Sequence, residues 1–108
     1  MAILEVDEES FEEALNTAFE KKDTVIVKFG SEYCEPCHAL ECELEEIDEE
    51  VKGVTILMID TSESQDLAAQ YDVFELPTMI IYKDSQTVIY HKEGVILAPD
   101  IEKIIKEN

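Results

Sequence analysis

Thr24-Val25-Ile26-Val27-Lys28-Phe29-Gly30-Ser31-Glu32-Tyr33-Cys34-Glu35-Pro36-Cys37-His38 is the stretch that decides how the chain is read. Its first six residues are rich in β-branched and aromatic side chains and run into a glycine, the pattern of a buried strand that ends at a turn. The two cysteines then open a helix. At a helix N-terminus the unpaired backbone N–H groups and the positive end of the macrodipole favour a thiolate over a thiol, and the thiolate is the species that attacks a disulfide. Residues three apart at a helix start lie one turn from each other, so Cys34 and Cys37 are also placed to close on each other. The stretch points to redox chemistry.

Outside it, the composition bounds the answer. With 108 residues and 45% hydrophobic content, the chain has the size of one domain, residues 1–108, and enough apolar material for a core without disulfide staples. No apolar run approaches the ~18 residues of a membrane span. The opening residues Met1-Ala2-Ile3-Leu4-Glu5 show neither a basic segment nor an apolar signal core, so the expectation is a soluble, cytoplasmic, monomeric protein with no membrane partner. Three cysteines form no even framework, which favours a catalytic or metal-binding pair in a reducing compartment over a secreted scaffold. The formal charge of −19 arises from 27 acidic residues against 8 lysines and no arginine. That leaves no material for a phosphate-binding patch and excludes nucleic acid as a partner class. The acidic residues are spread along helices, either as a solvated surface or as a field that steers toward a basic partner protein.

Taken in order, Ile3 to Val6 reads as a short strand, and Ser10 with Glu13 has the spacing of a capping box opening a helix whose apolar face is Phe11, Ala14, Leu15, Ala18 and Phe19. The strand at 24–29 follows. The cysteine helix runs to about Val51 with Leu40, Leu44, Ile47 and Val51 on one face. Val54 to Asp60 is nearly continuous in apolar residues, as in a strand covered on both faces. Leu67, Ala68 and Tyr71 make a short helix, 78–83 and 87–92 a hairpin around Asp84-Ser85-Gln86, and Pro99 opens a last helix with Ile101, Ile104 and Ile105 inward. The order βαβαβαββα defines an α/β domain with a mixed sheet.

Three landmarks in this order make the chain resemble the thioredoxin family over nearly its whole length. They are the strand leading through Tyr33 into Cys34-Glu35-Pro36-Cys37, the Leu76-Pro77-Thr78 segment, and Gly94 followed by an amphipathic terminal helix. The resemblance implies the thioredoxin fold, a five-stranded sheet flanked by four helices, and a protein-disulfide oxidoreductase that needs no cofactor. It makes Cys34 the exposed nucleophile and Cys37 the resolving thiol. It makes Pro77 a cis-proline beside which Leu76 pairs with extended substrate, and it sets Tyr33 and Pro36 on the rim that meets substrate. The implied partners are a disulfide-containing protein and a reductase that recycles the dithiol.

Several positions depart from the family pattern. Lys28 stands where thioredoxins typically bury an aspartate, and the usual lysine partner of that aspartate maps to Ile56, so the acid and base pair is expected to be dismantled. Lys28 then tunes the cysteines, as an amine that accepts a proton or a cation that stabilises thiolate, or it extends its amine to water and does no chemistry. Glu35 places a negative charge beside Cys34 and favours the disulfide, against the helix dipole and Lys28, each worth about 1 kcal/mol or roughly 20 mV. His38 lies one turn after Cys34, where it tunes the site near neutral pH or faces solvent. Cys42 replaces a helix-kinking proline and is expected to be a small buried residue. No metal is expected, since one helix cannot easily wrap Cys34, Cys37, His38 and Cys42 around an ion. His91 carries no partner signal. The function read here is reduction of protein disulfides; the alternative is an acidic interaction module or a dedicated electron carrier for one partner protein.

Overall fold

The structure, a computed structural model, describes residues 3–108, so Met1 and Ala2, read above for a leader sequence, lie outside the described residues. Nine elements follow in the expected order: β1 (Ile3–Val6), α1 (Phe11–Glu20), β2 (Thr24–Gly30), α2 (Glu35–Glu50), β3 (Val54–Asp60), α3 (Gln65–Gln70), β4 (Thr78–Asp84), β5 (Thr87–Glu93) and α4 (Ala98–Glu107). They build one mixed sheet in the order β1-β3-β2-β4-β5. β1 and β2 run parallel to β3, while β4 runs antiparallel to β2 and β5 to β4. The short connection after Asp84 permits only the antiparallel pairing, whereas the helical crossovers supply the parallel ones.

Alternation along β2 sorts its side chains onto two faces. Val25, Val27 and Phe29 join Phe11 and Ala18 of α1 and Leu67 of α3 in one core. Ile26 joins Leu40, Leu44 and Ile47 of α2 and Ala98 and Ile101 of α4 in the other. By the same alternation Lys28 is on the α2 face.

Two local expectations differ. Ser10 sits at the N-cap of α1, but its side chain makes no cap bond. The Asp7 carboxylate takes the Ser10 backbone N–H at 2.9 Å and the Ser10 hydroxyl at 3.0 Å, and the Ser10 Oγ accepts from the Asp7 N–H at 3.0 Å. A charged acceptor three residues upstream outcompetes the capping box, since hydrogen bonds to an ionised group are the stronger ones. Cys42, expected buried, is exposed. It falls between Leu40 and Leu44, and in a helix a residue two positions from each of these points away from the face they share.

Leu40 is completely buried where α2 seats on the sheet. Leu40→Ala is expected to lower unfolding free energy by about 3 kcal/mol, the usual cost of such a cavity, with the denaturant slope unchanged. Urea unfolding followed by circular dichroism checks this, and a loss below about 1 kcal/mol would mean that the helix seat depends on other contacts.

Candidate active site

Two chain segments and a buried ion pair meet at one end of the sheet. β2 leaves the sheet after Gly30, and the Cys34 N–H donates to the Ser31 carbonyl at 3.3 Å across the turn that follows. Cys34 is the N-cap of α2, and its Sγ accepts from the Cys37 N–H at 3.2 Å. Pro36 is in the first turn, where a missing N–H is no loss. Cys34 and Cys37 are joined as a disulfide with Cα atoms 5.2 Å apart. Cys37 is 0% exposed, whereas Cys34 is only partly covered.

The second segment enters from β4. Thr78 pairs with Phe29, one residue before Gly30, so the loop before β4 lies at the same end of the sheet as the cysteines. In that loop the Leu76–Pro77 peptide is cis and Pro77 is buried. The Thr78 hydroxyl donates to the Glu75 carbonyl at 2.6 Å, and the Gly94 N–H donates to the Pro77 carbonyl at 2.9 Å. Gly94 has φ +97°, a conformation that glycine reaches without strain, so its position after β5 suits it to hold this loop. Tyr33, directly before Cys34, is 89% exposed, and Phe74, in the loop before β4, is 83% exposed.

The third component lies beneath. Lys28 is 3% exposed. Its Nζ donates to Glu41 Oε1 at 2.6 Å and stands 3.8 Å from Met58 Sδ. Glu41 Oε2 meets His38 Nδ1 at 3.3 Å, and His38 Nε2 lies 2.8 Å from the Glu32 carbonyl. Burial pushes the Glu41 carboxyl up, but the bond and charge of Lys28, helped by His38, outweigh it and leave the group below its ordinary value. His38 is raised, first by the Glu32 carbonyl and then by Glu41, because only the doubly protonated ring can donate to both acceptors. Gly30 leaves room for this packing: a Cβ on it would stand 2.9 Å from Lys28 Cε and Nζ and 3.1 Å from Cys37 Sγ, so the lysine end would have to shift.

A disulfide at the start of a helix, with a cis-proline loop at the same sheet end, is the geometry of a thiol-disulfide exchange site. The family described as Thioredoxin matches the chain over residues 2–107. The chain belongs to the thioredoxin family. The thioredoxin of Acetoanaerobium sticklandii is 31% identical over 106 residues, covering 97% of this chain and 98% of that protein. Bacillus subtilis thioredoxin is 33% identical over 89 residues, 82% of this chain and 81% of that one. The crystal structure of chloroplastic thioredoxin z superposes with a TM-score of 0.87 at 30% identity, covering 99% and 94% of the two chains. A thioredoxin from Halobacterium salinarum shares the fold, with a TM-score of 0.82 at 23% identity over 97% and 88%. As a member of this family, the chain is a protein-disulfide oxidoreductase.

Against the thioredoxin pattern, the pair expected to be dismantled is rebuilt from another element. Ile56 lies in the apolar core and gives Lys28 no partner; Glu41 of α2 does. The Lys28 amine ends on a carboxylate rather than in open water. Cys34, Cys37, Leu76 and Pro77 are brought to one end of the sheet, with Tyr33, Glu35 and Pro36 exposed beside them. The ring of His38 bonds Glu32 and Glu41. Among the described residues, no group of three or more His, Cys, Asp or Glu side chains is placed to hold a metal.

Sequence reasoning missed Glu41 and Phe74. The signal for Glu41 was present: it is one helical turn after Cys37, and a lysine on the strand face that α2 covers needs an anion from that helix. The exposure of Phe74 had no such signal.

In an NMR titration, the His38 midpoint is expected above its ordinary 6.5. Glu41→Gln should lower it part-way, because the Glu32 carbonyl remains. Since folding raises the midpoint, protonated His38 favours the folded state at low pH, an effect lost as pH rises through the raised value. A midpoint that Glu41→Gln leaves unchanged would show that the two side chains do not interact in solution.

Proposed function

We propose that the chain reduces disulfides in protein substrates, with Cys34 as the attacking thiolate and Cys37 as the resolving thiol. The observation that carries this reading is the unequal burial of the two cysteines: Cys34 reaches the surface at a helix N-cap, while Cys37 is 0% exposed behind it. Only the outer sulfur is accessible to a protein substrate. In the reduced enzyme the Cys34 thiolate attacks one substrate sulfur, the substrate S–S bond breaks, and a mixed disulfide forms as the first substrate thiolate leaves. Cys37 then loses its proton and attacks Cys34 Sγ, which releases the second substrate thiolate. Two electrons have passed to the substrate and the Cys34–Cys37 disulfide remains. A reductase that supplies two electrons and two protons restores the dithiol.

The surroundings supply the binding side of the reaction. In this reading the Leu76 backbone pairs with an extended substrate segment, Tyr33 and Pro36 present apolar surface beside the reacting sulfurs, and Phe74 is exposed in the loop that carries Leu76. Glu35, exposed beside Cys34, and Lys28, buried near Cys37, act on thiolate stability in opposite directions. The free, exposed thiol of Cys42 suits a reducing compartment such as the cytoplasm. The reading takes residues 1–108 as one thioredoxin-like domain acting as a monomer.

Cys34→Ser is expected to reduce turnover of a protein disulfide, coupled to a chemical reductant, to background. Cys37→Ser should retain the first attack and accumulate a mixed disulfide, visible as an adduct by mass spectrometry. Cys42→Ser, which changes an exposed residue away from the reacting pair, should leave turnover unaltered. Turnover that survives Cys34→Ser would remove the reductase reading.

A further inference from the structure

A lysine beneath a resolving cysteine, with its own carboxylate partner, carries an inference that rests on the roles proposed for Cys34 and Cys37. A Cβ on Gly30 would be 2.9 Å from Lys28 Nζ and 3.1 Å from Cys37 Sγ. Amine and sulfur therefore flank one point and lie no more than about 6 Å apart, within the range over which a charge shifts a neighbour's ionisation. The same amine is bonded to Glu41 Oε1 at 2.6 Å. With Lys28 buried, solvent screens little of the interaction.

We propose that Glu41 is a positioning residue for the dithiol reaction: it holds the Lys28 ammonium beside Cys37 and, by its own negative charge, limits how strongly that ammonium stabilises the Cys37 thiolate. The resolving step needs that thiolate, because Cys37 must lose its proton before it attacks Cys34 Sγ. The ammonium favours proton loss and the carboxylate opposes it. Glu41 stays ionised through the neutral range, since the bond and charge of Lys28 outweigh the effect of its partial burial.

Other groups share the cleft that reaches Lys28. On the α2 side these are His38, bonded to Glu41, and Glu32 in the turn before the helix. From the sheet side come Glu5 of β1, Met58 and Asp60 of β3, and Glu63 beyond it. All are retained when Lys28 or Glu41 is changed, so differences between such variants isolate the pair.

A purely structural ion pair and a charge-balancing one predict different signs. If the pair only braced the fold, loss of either member would disturb Cys37 in the same sense. If it balances charge at Cys37, the two losses act oppositely.

The test uses a Cys34→Ser/Cys42→Ser background, in which Cys37 is the one thiol left of the chain's three cysteines. Thiolate ultraviolet absorbance is followed against pH. Glu41→Gln should lower the Cys37 midpoint by about one unit, or tenfold more thiolate at a given pH below it. Lys28→Met should raise the midpoint by a similar amount, and the Lys28→Met/Glu41→Gln variant should fall between. If Lys28→Met does not fold, the step from Glu41→Gln to the double variant reads the lysine alone and must be upward. Shifts of the same sign for the two single changes, or a Glu41→Gln midpoint equal to that of the background, overturn the proposal. The titration involves no substrate, so its failure is distinct from failure of the reductase reading, which appears in turnover.

Discussion

Leu40, Leu44 and Ile47 of α2 share one apolar cluster with Ile26 and Ile56 of the central strands, and this contact sets where the helix begins. Its start must then stand just beyond the end of β2, because only three residues, Ser31 to Tyr33, separate Gly30 from the N-cap. The reacting cysteines inherit their position from packing several residues away. The same seating brings Cys37 under cover and turns Glu41, one turn further along, toward the strand that carries Lys28. On the other side of β2 the antiparallel register of β4 fixes the entry of Pro77 to the same place. Chemistry at this end of the sheet is thus a consequence of apolar contacts in its middle.

The charge arrangement follows from that seating and has an energetic character of its own. A buried ion pair is weak evidence for stability, since the cost of taking both charges from water can exceed their attraction. Glu41 is only partly covered, which lessens its desolvation, and its second oxygen keeps a polar partner in His38. Lys28 bears most of the burial. The pair therefore makes better sense as a device for setting charge near sulfur than as a brace for a domain whose apolar contacts already hold it.

Most of the architecture was legible in the chain because the signals are periodic. The strand runs at 24–29 and 54–60 matched the observed strands to within a residue, since continuous apolar runs of that length fit a sheet covered on both faces. The cysteine pair and the Pro77 segment were likewise visible as local motifs. What was not legible depends on partners distant in sequence or on competition between near neighbours. Ser10 lost its cap role to Asp7, a choice between two short polar contacts. Cys42 was misjudged because its residue type suggests burial while its angular position on α2 forbids it. Lys28 stands out as anomalous, but with Ile56 at the position of the family's partner the pattern implies a dismantled pair, whereas the strand face on which Lys28 sits points to Glu41 of α2. Alternation along β2, applied one residue further, contained that answer.

The missing side chain at Gly30 also couples two positions of the site. With its amine on Glu41, a lysine at position 28 lies along space that any Cβ at position 30 would enter, at 2.9 Å from both its Cε and Nζ. The two positions are thus epistatic. A side chain at 30 would have to displace the end of Lys28 from its place on Glu41 and press on Cys37 Sγ at 3.1 Å. A choice of residue at 30 thus reaches the charge beneath the cysteines through van der Waals contact alone, one residue beyond the strand's last apolar side chain.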